Sequence, residues 1–176
     1  MKILKLTIII TFLYNNLNIC KDNMNIVEQN LNKFNLTLPQ VSIPVANYVP
    51  FVQTDKLIFI SGQLPMENGK LKYAGKVDKD ISLEDAKLAA QLCALNILAQ
   101  VKTCVGSFDK IKRCIKLTGF VNAPEGFAAH PQIINGASDL LVNLLGEKGK
   151  HARAAVGASS LPLNAAVEIE AIFEIE

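Results

Sequence analysis

Near its C-terminus the chain alternates strictly: Val167, Ile169, Ala171 and Phe173 are apolar, with Glu168 and Glu170 between them. Alternation with period two makes a half-buried strand, its carboxylates on one face and its apolar side chains on the other. The run before it, from His151, reads as a second strand that opens with Arg153, and a turn joins the two. Set on neighbouring strands, the arginine and a glutamate have two readings. They form an ordinary cross-strand pair on a wet face, or they frame a small polar site on an otherwise apolar sheet.

The preceding chain supplies the rest of the architecture. From Met24 to Leu36, the spacing of Ile26, Val27, Leu31 and Phe34 predicts a short amphipathic helix. Pro39 and Pro44 hold the next segment extended. Asn47 to Gln53 reads as a first strand, and the apolar run Leu57 to Ser61 as a buried second one ending at Gly62. Asn68-Gly69 is a hairpin signal, after which Leu71 to Val77 reads as a third strand. Ser82 is a good N-cap, followed by Glu84 and Asp85 in the first helical turn. The helix it opens is rich in alanine and leucine and runs to about Cys104; Gly106 ends it. Lys112 to Val121 is a strand. A second long helix spans about Pro131 to Leu145, with Asn135-Gly136 inside it at a cost of about 1 kcal/mol relative to alanine.

The order is three strands, a helix, a strand, a helix and two strands. The simplest packing is an α+β fold: a mixed, six-stranded sheet with both helices on one face. The other face then stays uncovered. Monomers rarely expose apolar patches larger than roughly a few hundred Å², so a homo-oligomer is expected.

Composition narrows the function classes. Half of the 176 residues are apolar and 19% are charged, which describes one globular domain. A net charge of +2 gives no case for nucleic acid or an anionic membrane as partner. Cys20, Cys93, Cys104 and Cys114 show neither CxxC spacing nor clustering with a histidine, which argues against zinc. Most of the cysteines lie in apolar patterns that fit reduced, buried thiols. Residues 1–23 differ from the rest: Lys2 and Lys5 precede an apolar run from Leu6 to Tyr14, too short to span a bilayer as a helix. They read as a signal-like segment or as an extension upstream of a true start at Met24. The second reading is favoured, with the domain proper at residues 24–176 and a cytoplasmic location; export is the alternative.

No catalytic triad order, HExxH, P-loop or GxGxxG element is present. His130 reads as a helix-start residue and His151 as a solvated loop end. Tyr48, the strand end Phe59-Ile60-Ser61-Gly62-Gln63-Leu64-Pro65, Asn135, Arg153, and Leu161-Pro162 with Val167-Glu168-Ile169-Glu170-Ala171 together resemble the RidA/YjgF family. That family is one of reactive-intermediate imine deaminases, also labelled endoribonuclease L-PSP. The resemblance extends from about Val45 to the C-terminus. Lys116 to Val121 and Asn135 to Leu140 look like a divergent branch.

The resemblance implies a chorismate-mutase-like fold of the bacterial trimeric type. Open sheet faces line a barrel in the homotrimer, and a cleft lies at each subunit interface. It implies hydrolysis of small 2-imino acids to 2-oxo acids and ammonia, with no cofactor or metal. Arg153 would grip the substrate carboxylate by two parallel hydrogen bonds, a geometry lysine lacks. Glu168 would accept a proton from water or orient it. Tyr48, Ser61 and Asn135 would line the cleft. Many members carry a cysteine two residues after the arginine, where this chain has Ala155. Two other classes remain: a non-catalytic binder of a small 2-oxo or amino acid, and, less well supported by the charge, an endoribonuclease.

Overall fold

The computed structural model describes residues 24–41 and 46–176. The signal-like segment 1–23 and the extended reading around Pro44 lie outside these residues. The elements are α1 (Ile26–Lys33), β1 (Phe51–Thr54), β2 (Leu57–Gln63), β3 (Met66–Glu67), β4 (Lys70–Leu71), α2 (Leu83–Val105), β5 (Ile111–Asn122), α3 (His130–Leu145), β6 (Ala152–Ala158) and β7 (Val167–Ile175). The main sheet has the order β1-β2-β7-β5-β6, and β3 with β4 forms a separate ribbon. Only β5 and β6 are parallel, joined through α3; the other pairs are antiparallel.

The mixed sheet with two helices on one face agrees with the α+β expectation, but the strand count does not. The main sheet has five strands, not six, among the described residues. The expected third strand over Leu71 to Val77 stops at Leu71, because the backbone turns to positive φ at Gly75 (112°) and again at Asp78 (68°). Extended backbone has negative φ, so a ladder cannot pass through these residues. The hairpin itself forms: Asn68 and Gly69 have φ of 52° and 73°, as a two-residue primed turn requires. The first strand begins at Phe51 rather than Asn47. Tyr48 N donates to Ala46 O in a tight turn, and Pro50 has no N–H to give a ladder.

A further correction concerns β6 and β7. They are consecutive in sequence but not neighbours, because β5 lies between them. Leu117 of β5 pairs with Arg153 on one side and Ala171 on the other; Phe120 pairs with Val156 and Glu168.

Ser82 caps α2 by accepting from Asp85 N at 3.0 Å. By length and composition α2 could cross a bilayer, but here it is the core helix. It is buried over nearly all of Leu92 to Val101, between the sheet, α3 and the β3–β4 ribbon. Buried Asn96 spends its amide on Met66 O at 3.0 Å and Leu92 O at 2.9 Å, which ties the ribbon to the helix. α1 packs Val27 and Leu31 inward, and Asn30 Nδ2 reaches Leu144 O of α3 at 3.0 Å.

Gly136, a weak point in a helical pattern, proves to be where the two helices touch. A Cβ there would collide with the backbone oxygen of Lys87. Gly136→Ala is expected to destabilise the fold. The overpacking cost, at the top of the roughly 1–3 kcal/mol range, outweighs about 1 kcal/mol of gained helix propensity. Urea unfolding should show a net loss on the order of 1–2 kcal/mol.

Candidate active site

Register and burial separate the sheet's two faces. Leu117, Val121, Ile169, Ala171, Phe173, Ile58 and Ile60 are buried beneath the helices. In-register partners share a face, so Arg153, Ala155 and Gly157 of β6 also turn toward α3. Ile134 fills the space above Gly119, and His130 the space above Gly157, on this same face. The opposite face carries Val52, Phe59, Phe120, Val156 and Ile172 with Glu168, Glu170 and Glu174. Val52 is 54% exposed, Phe59 41% and Val156 45%. That face is open in the protomer and contains a band of large apolar side chains.

Arg153 lies on the edge strand and reaches α3. Its Nη1 donates to Asn135 Oδ1 at 2.8 Å and to Ser138 Oγ at 3.0 Å. Two of the sequence-derived residues, Arg153 and Asn135, are therefore in direct contact. Asn135 and Ser138 are three apart on a helix and present their side chains together. Both hydrogens of Nη1 are engaged, while the edge formed by Nε and Nη2 has no hydrogen-bond partner among the described residues. That free edge has the fork geometry that a planar carboxylate accepts.

Glu168 lies in a second cluster. Between Ile60 and Gln63 the β2–β7 register slips, so Ser61 and Gly62 together face Glu170, a bulge. The missing side chain of Gly62 makes room for the Glu168 carboxylate, whose Oε1 occupies the place a Cβ would take. Ser61 Oγ donates to Val49 O at 2.8 Å, and this bond holds the segment bearing Tyr48 against the strand end. Tyr48 itself is 57% exposed. Glu168 is half-buried and forms no ion pair among the described residues. Burial, and then the charge of Glu170, push its carboxyl above the usual carboxylate range.

The fold thus brings Arg153 to Asn135, and sets Glu168 against Gly62, next in the chain to Ser61, but does not join the two groups; Tyr48 makes no side-chain hydrogen bond with either among the described residues. Arg153 and Glu168 are two strands and three residue positions apart. That is on the order of 14 Å between backbones, on opposite faces. A cross-strand ion pair between them, one of the two sequence readings, is ruled out. A hollow of about 320 Å³ at the start of α3, bounded by Pro124, Phe127, His130, Gly157 and Ser159, includes none of the five residues.

His151 is not the solvated loop end expected from its surroundings. Its Nδ1 lies 2.6 Å from Gly149 O and its Nε2 lies 3.0 Å from Ser138 Oγ. Ser138 is not among the residues the sequence singles out, and His151 is singled out there only as a solvated loop end. Ser138 stands one turn after Asn135 on the same helix face, and that spacing was the available signal. Among the described residues no group of three or more metal-ligating side chains converges.

A mixed sheet with one helical layer and a polar edge site defines the chorismate-mutase-like class. The family described as "YjgF/chorismate mutase-like, putative endoribonuclease" matches residues 28–175. The chain belongs to this YjgF family, to which RidA also belongs. Protein TCP17 of Trypanosoma cruzi is 37% identical over 150 residues, covering 85% of this chain and 94% of its own. The crystal structure of Atu1372 from Agrobacterium tumefaciens is 51% identical with a TM-score of 0.81, over 86% of this chain and 93% of that one. A structure described as a putative endoribonuclease from Shewanella oneidensis is 33% identical with a TM-score of 0.83, over 86% and 100%.

The raised affinity of Glu168 for its proton has a consequence for stability. The native state holds that proton more tightly than the unfolded chain does. The resulting stabilisation is complete at acid pH and is lost as pH rises from about the ordinary value of 4.5 through the native pKa. Glu168→Gln carries no such loss. Melting temperatures of the variant and the parent should therefore diverge above that window, with the variant the more stable at neutral pH.

Proposed function

We propose that this protein hydrolyses small 2-imino acids to 2-oxo acids and ammonia, at sites shared between the subunits of a homotrimer. The supporting observation is the guanidinium of Arg153. It is fixed along one edge by α3 oxygens and free along the other, as a receptor for a planar carboxylate would be. Two further points favour sharing between subunits. The carboxylate best suited to proton transfer, Glu168, lies on the opposite sheet face, so one protomer cannot use both. The open face also carries an apolar band of the kind that association buries.

The chemistry is simple in this arrangement. Arg153 binds the substrate carboxylate side-on and so fixes the adjacent C=N carbon. Glu168 of the partner subunit takes a proton from water as its oxygen bonds to that carbon, giving a carbinolamine. Return of that proton to nitrogen turns the amine into a leaving group; the C–N bond then breaks and ammonia departs as the C=O bond forms, with the hydroxyl proton passing to the Glu168 carboxylate and from there to ammonia. One water is consumed for each ammonia released. A carboxyl whose pKa is raised toward working pH both accepts and returns a proton more readily than an ordinary one. Tyr48 and Ser61 of that same half border the cleft, and Asn135 holds the anchor. A cytoplasmic location is part of this proposal, supported by the free thiols of Cys93, Cys104 and Cys114.

A second reading keeps the cleft but not the turnover. Escherichia coli TdcF, which shares the fold at 22% identity with a TM-score of 0.58, was solved with bound serine. Ammonia release above the spontaneous rate, from imines generated by an amino-acid oxidase, separates a catalyst from a binder. RNA cleavage has less support, because a net charge of +2 offers little attraction for phosphates.

Arg153→Ala is expected to abolish the catalysed rate, while light scattering still reports three times the 19.2 kDa chain mass. Glu168→Gln should lower kcat by about 10²-fold or more, the scale of a lost general base, and change KM little. Full activity in Arg153→Ala would remove the mechanism.

A further inference from the structure

The contacts around Arg153 extend into a chain with a definite direction. Gly149 O only accepts, so His151 Nδ1 carries the hydrogen between them, at 2.6 Å. In the neutral ring Nε2 is then an acceptor, and it receives the Ser138 hydroxyl hydrogen at 3.0 Å. The Ser138 oxygen in turn accepts from Arg153 Nη1 at 3.0 Å. The second Nη1 hydrogen goes to Asn135 Oδ1 at 2.8 Å. Every link has one donor and one acceptor.

The far end of the chain is rigid. Gly149 is buried, and a Cβ on it would collide with the Leu141 carbonyl. Its backbone is pressed against α3, which also supplies Asn135 and Ser138. The near end is a side chain on an exposed edge strand. An unrestrained arginine there would sample many rotamers and would lose that freedom on gripping a ligand.

We propose that Ser138 and His151 are positioning residues for Arg153. Through this one-way chain they hold the guanidinium with its Nε–Nη2 edge outward, and so set the affinity of the site for planar carboxylates. The inference rests on Arg153 being the carboxylate anchor, but it does not need turnover. Neither side chain touches the ligand. Asn135 alone leaves the guanidinium free to pivot about a single bond; the Ser138 contact supplies the second point that fixes its plane. His151 fixes Ser138 by consuming its only hydrogen, which leaves the oxygen lone pairs for Arg153.

The test uses pyruvate, a planar 2-oxo carboxylate, as the probe, with binding measured by calorimetry on the full-length oligomer. Ser138→Ala should weaken pyruvate about tenfold, and His151→Leu by a similar factor. The double variant should be no weaker than either single one, because each breaks the same chain. His151→Gln places an amide oxygen where Nε2 accepts and should recover to within about threefold of the parent. Melting temperature and oligomer mass should stay near parental values in Ser138→Ala, since alanine suits a helix. In imine hydrolysis the same variants should raise KM and leave kcat within about twofold.

Parental affinity in Ser138→Ala would overturn the proposal, as would losses that multiply in the double variant. So would a parent protein that binds no pyruvate. If the parent binds pyruvate, Ser138→Ala loses it and no imine is hydrolysed, the deaminase reading fails and the positioning chain stands.

Discussion

A five-stranded sheet has two faces to bury, and in this protein one pair of helices covers only one of them. α2 lies so deep between the sheet and α3 that nearly all sides of its middle turns are inaccessible to solvent. α3 approaches α2 closely enough that Gly136 has no room for a side chain, and lies so near β5 that Ile134 fills the space above Gly119. This layer is closed and dry. The opposite layer leaves Val52, Phe59 and Val156 in contact with water. Burial of apolar surface is the main favourable contribution to folding, and a face left uncovered in the protomer keeps that contribution for association.

The same asymmetry divides the candidate site. Because β6 is parallel to β5 and follows α3, its helix-facing residues meet α3, and Arg153 finds Asn135 and Ser138 there. Because β7 alternates, Glu168 must point the other way from Ile169 and the core. Period-two geometry thus separates Arg153 from Glu168 by the thickness of a sheet, and no rotamer change within one chain brings them together. On the proposed reading this separation is what makes the oligomer part of the chemistry.

Much of this was legible in the residues, for identifiable reasons. The alternation from Val167 to Phe173 dictated both the strand and its faces. Ser82 and Gly106 marked the ends of α2 through local hydrogen bonding and a positive φ of 78° at the glycine. Asn68-Gly69 fixed the hairpin turn. What failed was non-local. Nothing near Arg153 or Glu168 says that β5, which precedes both of their strands in the chain, inserts between them. The third strand was lost because Gly75 was read as a tolerated residue inside a strand, whereas it adopts a φ of 112°. Of the site residues, Arg153 and Asn135 do meet. Ser138 looks ordinary alone and His151 looks like a solvated loop end, and their link closes a gap of 13 residues that only the fold brings together.

The thiols bear on where the chemistry comes from. Ala155 stands two residues after Arg153, where the family resemblance leads one to expect a cysteine, so among the described residues no cysteine follows Arg153 on its strand. The cysteines that the structure describes are elsewhere and poorly ionised. Cys93 is fully buried, with its thiol pushed well up by desolvation and by the nearby charge of Glu168. Burial takes Cys114 up to about 12, and Cys104 is raised as well. A thiol is a nucleophile only as thiolate, and desolvation holds these in the neutral form. Among the described residues, therefore, no cysteine near Arg153 is a candidate for covalent attack. On the proposed reading water is the nucleophile, and it needs a base. Among the carboxylates of the open face, Glu168 is the one held above its ordinary range, by burial and then by the charge of Glu170, and it forms no ion pair among the described residues. Glu174, by contrast, is paired with Lys112 at 2.6 Å, which lowers its proton affinity. The two differ in their neighbours: Lys112, with Arg113 and Lys56 beyond it, surrounds Glu174 with positive charge, whereas Glu168 sits half-buried against Gly62 with the charge of Glu170 nearby.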